Sequence, residues 1–233
     1  MFFAKFKIDL HVNEQMYLTW KELYDNVDVG IPLGSYDDII PYVDRVCCRL
    51  PDHILADSGV KLHIDMRPGT NGLNNVKKWR PIQSSLALTD HCGGDSGGLK
   101  LVSGFHKEFN EFFNGFECEN DYGEFFRMHD KSYEAINKRC LPVTVPAGSL
   151  VLWDTRLPHK TCQKLSGFDT REVLFMAYIP NVPLNIEYRN EQRDAIINKK
   201  APPSYCGKNG IDVLRDYELE ELSEFQKKML NIV

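Results

Sequence analysis

Val60-Lys61-Leu62-His63-Ile64-Asp65 alternates between residues suited to a core and residues that carry charge or metal-ligand chemistry. Successive side chains of a strand point to opposite faces, so Lys61, His63 and Asp65 share one face and Val60, Leu62 and Ile64 the other. His63 and Asp65 then stand about 6.5–7 Å apart at Cα, two strand rises, close enough for both heads to reach one ion. From this stretch to Ile179 the hydrophobic period is two, with frequent Gly, Pro, Asn and Asp between runs. Strands are predicted over 60–65, 82–89, 98–103, 142–145, 149–153 and 171–179. Many short strands with turn-rich joints predict a mainly β fold with flanking helices, a double-sheet jelly roll or cupin-like barrel able to hold a ligand.

A second stretch supplies the partner of the first. Pro146-Ala147-Gly148 turns, Leu150 to Trp153 is a bulky apolar strand, and Leu157-Pro158 leads out to His159. An imidazole and a carboxylate on one face, joined by a distant second His, make the two-His-one-carboxylate pattern that leaves open positions on ferrous iron. Arg171 then heads the apolar run Val173-Leu174-Phe175-Met176-Ala177-Tyr178-Ile179. A charge buried there needs an anionic partner, because an unpaired one is costly. Asp154 and Glu172 are the candidates within the chain; a bound acid is the other.

At these residues the chain resembles the phytanoyl-CoA dioxygenase-like branch of the Fe(II)/2-oxoglutarate-dependent oxygenases. The matching elements are His63-x-Asp65, Gln83 through Asp90, Gly97-Gly98-Leu99-x-Leu101-Val102-x-Gly104-x-His106, and Pro146-Ala147-Gly148 through His159-x-Thr161 and Arg171. The resemblance implies iron on His63, Asp65 and His159. It also implies 2-oxoglutarate with its distal carboxylate on Arg171, Thr161 beside it, and O2 as the second cosubstrate. Gln83 and Trp153 are expected as further cosubstrate or supporting contacts. The implied reaction is hydroxylation of a small molecule with release of succinate and CO2; related halogenases leave open for halide the position that Asp65 fills. The alternative is a cupin-fold binding module or inactive relative that keeps the pocket without turnover.

Gly94-Asp95-Ser96-Gly97-Gly98 looks like the nucleophile segment of trypsin-like serine proteases. That chemistry needs a His base and an Asp well upstream on a double barrel. Here His91 lies just before the serine, so a Gly-rich turn is predicted instead.

The 233 residues fit one domain: a helical segment over 1–55, the jelly-roll core over 60–180, and a helical tail over 181–233. Met16, Trp20, Leu23, Tyr24 and Val27 predict one amphipathic helix, and Ile39, Ile40, Val43, Val46, Cys47 and Leu50 a second, with Pro41 in its first turn. Leu219, Leu222, Phe225 and Met229 predict a last one. Residues 66–81, with Arg67, Lys77, Lys78 and Arg80, form either a rim that meets an anionic substrate or a solvated basic loop. Residues 107–140, rich in Phe, form either a lid or a satellite aromatic cluster. The net charge of -5 argues against a nucleic-acid partner, and no apolar run reaches membrane-spanning length. Seven cysteines without a Cys-x-x-Cys pair or a leader-like start predict free thiols and a cytoplasmic protein, monomeric or homodimeric.

Overall fold

The computed structural model describes residues 2–27, 38–52, 59–66, 68, 79–92, 95–116, 125–128, 130–162, 165–166, 169–202 and 213–232. Its contacts divide into two compact units, Met1–Val46 with Lys77–Ser84 and Leu174–Val233, and Cys47–Val76 with Ser85–Val173.

The first unit is built on helices. Helices α1 (Lys5–His11) and α2 (Glu14–Asn26) come first, and the Asn13 side chain caps α2 by accepting from the Met16 N–H at 3.1 Å. Trp20 and Tyr24, one turn apart, carry the buried stripe. The Trp20 ring packs on Tyr178 at 5.7 Å and the Tyr24 hydroxyl donates to the Tyr178 carbonyl. The predicted stripe is narrower than expected, since Met16 and Leu23 are only half-buried and Val27 is exposed.

Residues 39–50 depart from the predicted second helix. They form a long strand, β1 (Ile39–Arg49). Ile39, Ile40, Val43 and Val46 are β-branched, stiff at χ1 and suited to a pleated surface. The first six residues of the strand are buried, so the apolar run carries no helical period to read. Pro41 is tolerated because β1 lies at a sheet edge. Helix α5 (Ile186–Ile197) closes that edge: the Gln192 amide donates to the Pro41 carbonyl at 2.7 Å and accepts from the Val43 N–H at 2.8 Å. The predicted C-terminal helix is shorter than expected. Leu219–Glu221 is a single 3-10 turn, and α6 (Glu224–Met229) restarts behind a Ser223–Gln226 capping box.

The second unit carries β2 (His63–Ile64), β4 (Leu99–Leu101), α3 (Phe105–Phe112), β5 (Phe126–Arg127), α4 (Glu134–Lys138), β6 (Leu141–Pro142), β7 (Leu150–Asp154) and β8 (His159–Thr161). Five of these strands form one sheet in the order β5-β2-β8-β4-β6, and its strand pairs are antiparallel. A second sheet has the order β1-β9-β3-β7, with β3 (Ile82–Ala87) and β9 (Arg171–Pro180); the division between units falls within β1, β3 and β9. The fold is mainly β with flanking helices, as expected. The predicted closed barrel is not seen among the described residues, where the strands form two separate sheets. No helix among them is long and apolar enough to cross a membrane.

Leu62 and Ile64, the inward face of the opening motif, sit in a buried cluster with Phe105, Phe109, Phe113 and Trp153. The described part of the 107–140 segment is therefore core packing behind the His63 strand. Residues 117–124 and 129 of that segment lie outside the described residues.

Candidate metal centre and anion subsite

His63 on β2 stands directly opposite His159 on β8 in the antiparallel register. Their rings lie 4.2 Å apart between centroids. After Ile64 the chain leaves the ladder, and the Asp65 N–H donates to the Thr155 carbonyl. This bend turns the Asp65 carboxylate toward both rings: one oxygen lies 3.6 Å from His63 Nε2 and the other 3.6 Å from His159 Nε2. The sequence placed His63 and Asp65 on one face; the register of β2 on β8 brings in the third residue.

Each imidazole is oriented by its own backbone. His63 Nδ1 lies 2.7 Å from the Lys61 carbonyl, and His159 Nδ1 lies 2.9 Å from the Leu157 carbonyl. A carbonyl only accepts, so each Nδ1 carries a proton and, in the neutral ring, each Nε2 presents a lone pair. Two lone pairs and a carboxylate thus face one another beyond hydrogen-bonding distance, an arrangement that repels itself unless a cation lies between. Donors about 2.0–2.2 Å from one ion stand about 2.8–3.1 Å apart at right angles and about 3.3–3.6 Å apart at the tetrahedral angle, so the observed 3.6 Å lies at the wide end of that range. Among the described residues these three side chains form a group able to hold a metal, with all ligand atoms within 4.8 Å. The Trp153 ring edges His159 at 5.6 Å and Phe125 edges His63 at 6.2 Å, so each imidazole packs against an aromatic ring.

Arg171 opens β9 in the same unit and is 4% exposed. Neither sequence rival pairs with it. Asp154 holds Arg156 at 2.6 Å, and Glu172 accepts from Thr170. The Arg171 Nη1 reaches the Cys47 sulfur at 3.8 Å, and its Nε has no partner. Burial pulls its pKa below the ordinary arginine value, with Cys47 opposing and the neighbouring Arg49 adding to the fall. Arg49 itself is anchored by the Cys162 carbonyl at 2.6 Å and by Asp52 at 2.8 Å. A buried guanidinium that pairs with no carboxylate among the described residues is suited to an external acid. His91 nearby is held neutral, its pKa lowered to about 4 by burial and then by Arg171.

The remaining predicted residues are placed differently. The Thr161 hydroxyl accepts from the Val60 N–H at 2.7 Å and shows no bond to Arg171. Gln83 is buried in β3, in the other unit. Trp153 does adjoin a predicted ligand, and its buried Nε1 has no partner. Of the serine-protease-like stretch, Gly94 lies outside the described residues; Asp95 lies in a turn, as predicted, and Gly97 has φ +66, a left-handed conformation that suits glycine. Of the basic rim, Arg67, Lys77 and Lys78 lie outside the described residues, and Arg80 stacks over Tyr42 at 4.5 Å. A separate cleft of about 380 Å³ is lined by Lys61, Lys131 and Lys160 with Asp130 and Glu134, and includes none of the three candidate ligands. Sequence reasoning missed Cys47 and Arg49, because both were assigned to a helix.

Fold and site define a mainly β protein with a His-Asp-His cluster and a buried arginine. Residues 80–232 match the Gig2-like family, and the chain belongs to it. This corrects the resemblance to the phytanoyl-CoA dioxygenase-like branch: His-x-Asp, a distant His and a later Arg are demands of site geometry, so they do not separate one family from another. "Ava biosynthesis cluster protein O" of Aspergillus versicolor is 30% identical over 164 residues, 66% of this chain and 51% of that protein. The chain thus spans about half the length of this curated relative. The structure of GlcNAc Inducible Gene 2, GIG2, from Candida albicans is similar with a TM-score of 0.69 at 18% identity, over 99% of this chain and 69% of that one. The epimerase SnoN, solved with Fe3+, alpha ketoglutarate and nogalamycin RO, is similar with a TM-score of 0.51 at 14% identity, over 89% and 70%. Both structural likenesses speak to the fold alone.

Proposed function

We propose that this protein is a non-haem Fe(II)/2-oxoglutarate-dependent oxygenase that hydroxylates a small molecule, with its two sheets forming a double-stranded β-helix. The observation that carries the reading is the pair of Nε2 lone pairs aimed at the two oxygens of one carboxylate, each 3.6 Å away, with both Nδ1 atoms tied to backbone. His63, Asp65 and His159 would hold iron, and Arg171 would take the far carboxylate of 2-oxoglutarate. Iron so held supplies oxidation by O2 coupled to loss of CO2 from the oxo acid. The chain supplies geometry and charge. The Lys61 and Leu157 carbonyls fix the imidazole tautomers, and the Asp65 carboxylate offsets positive charge. Trp153 and Phe125 each pack against one imidazole. SnoN supports the cofactor assignment as a protein of similar fold solved with iron and this oxo acid. The substrate is assigned no closer than a small molecule, because substrate choice resides in loops that the fold does not dictate.

The test is anaerobic titration of the protein with Fe(II) and then 2-oxoglutarate. A weak visible charge-transfer band, absent in Asp65→Ala and His159→Ala, is expected. No band in the native protein, or equal metal stoichiometry in the variants, overturns the assignment.

A further inference from the structure

We infer that Cys47 is a modification site at which peroxide closes the anion subsite of Arg171. The inference rests on the proposed function and concerns its regulation. Cys47 is half-buried, and its sulfur lies 3.8 Å from the Arg171 Nη1. It therefore borders the space in which a carboxylate held by that guanidinium would sit.

The guanidinium cannot easily turn elsewhere. A Cβ on Gly97 would lie 3.4 Å from the Arg171 Cδ and 3.4 Å from the Arg49 Nη1, so the turn packs directly on both side chains. Arg49 is in turn tied to the Cys162 carbonyl and Asp52. An anion created at Cys47 thus meets a cation that is buried, fixed and without a carboxylate of its own among the described residues.

Three of the other four described thiols are less suited, and the fourth, Cys92, is exposed. Burial pushes the Cys140 thiol up to about 11 and raises that of Cys162, while burial and then Glu172 raise that of Cys48. A thiolate is the reacting form, so these three are disfavoured.

The chemistry balances. The Cys47 sulfur attacks one oxygen of hydrogen peroxide, forming an S–O bond as the O–O bond breaks. The departing hydroxide takes the thiol proton and leaves as water, so sulfur is oxidised to a sulfenic acid and the peroxide is reduced. A second equivalent gives the sulfinic acid, which ionises. Its two oxygens accept from Arg171 in place of the oxo acid's far carboxylate.

The experiment uses the full chain loaded with Mn(II), titrated calorimetrically with 2-oxoglutarate before and after hydrogen peroxide, with mass analysis of cysteine peptides. Two added oxygens are expected on the Cys47 peptide, and the dissociation constant should rise about tenfold or more, the loss of one charge-assisted pair. Cys47→Asp is expected to bind weakly without peroxide while retaining Mn(II). In Cys47→Ser, peroxide should not change whatever affinity that variant shows. A Cys47 sulfinate that leaves affinity within about twofold, oxidation of Cys48 in preference to Cys47, or a disulfide from Cys47 overturns the inference. If the reduced protein binds the metal and 2-oxoglutarate and only the peroxide effect is missing, the inference alone falls. If the reduced protein does not bind 2-oxoglutarate, the proposed function falls and takes the inference with it.

Discussion

Arg171 and Lys7 are two buried cations with different consequences. Arg171 sits beside a sulfur and a turn, with no carboxylate to neutralise it among the described residues. Replacing it by Ala should weaken 2-oxoglutarate binding roughly ten- to a hundredfold, the worth of a charge-assisted pair. Metal stoichiometry should not change; a loss of metal as well would mean that Arg171 supports the fold. Lys7 on α1 is fully buried, and its Nζ makes no hydrogen bond among the described residues and faces the Phe2 ring at 5.8 Å. Burial lowers its pKa from 10.5 to about 8, against the pull of Asp44 and with the push of Arg45. Between those values the unfolded chain binds more protons than the folded one, so stability rises with pH. Below about 8 the penalty is complete. Lys7→Met should therefore stabilise the protein at pH 7 by about 2–3 kcal/mol and flatten the rise between pH 8 and 10.5. Urea melts across that range measure it, and an unchanged slope would exclude the mechanism.

At the scale of elements, legibility depends on how much local pattern a segment carries. The alternation around His63 exposed both the strand and its ligand face, because Leu62 and Ile64 had to be buried together. β8 is only three residues long, too short to show a period, so His159 was found through its chemistry and not its strand. β1 failed in the opposite way. Buried on both faces over its first half, it offers an apolar run in which i, i+3 and i+4 are filled by default. That error hid Cys47 and Arg49, which only long-range pairing brings beside Arg171. Thr161, expected beside a carboxylate held by Arg171, falls instead on the short strand of His159, and its hydroxyl is engaged by the Val60 N–H. The Gln192 contact to β1 was equally illegible, since it joins residues 151 and 149 positions apart. Gln192→Leu should cost about 1–3 kcal/mol by leaving the Val43 N–H and Pro41 carbonyl without the amide. A shift in the thermal midpoint measures this, and no shift would mean that water replaces the amide.

For the molecule as a whole, the proposed metal couples to stability through mass action. A ligand at about a hundred times its dissociation constant adds about 2.7 kcal/mol to a folded state that alone binds it. Adding Mn(II) should therefore raise the midpoint of the native protein and leave that of His159→Ala where it is. Trp153 lies 5.6 Å from His159, while Trp20 and Trp79 belong to the other unit. Metal-dependent quenching should accordingly be lost in Trp153→Phe, and quenching that persists would place the ion elsewhere. Family membership was not legible from the motif, because ligand spacing answers to the metal and not to descent.

The amide of Gln192 laid along β1 has a consequence beyond the stability it contributes. A bare strand margin is a template on which a second molecule can grow, hydrogen bond by hydrogen bond. Pro41 offers no N–H, and the glutamine takes the Pro41 carbonyl and the Val43 N–H, so the same residues that finish this stretch of the sheet also deny it to a second strand.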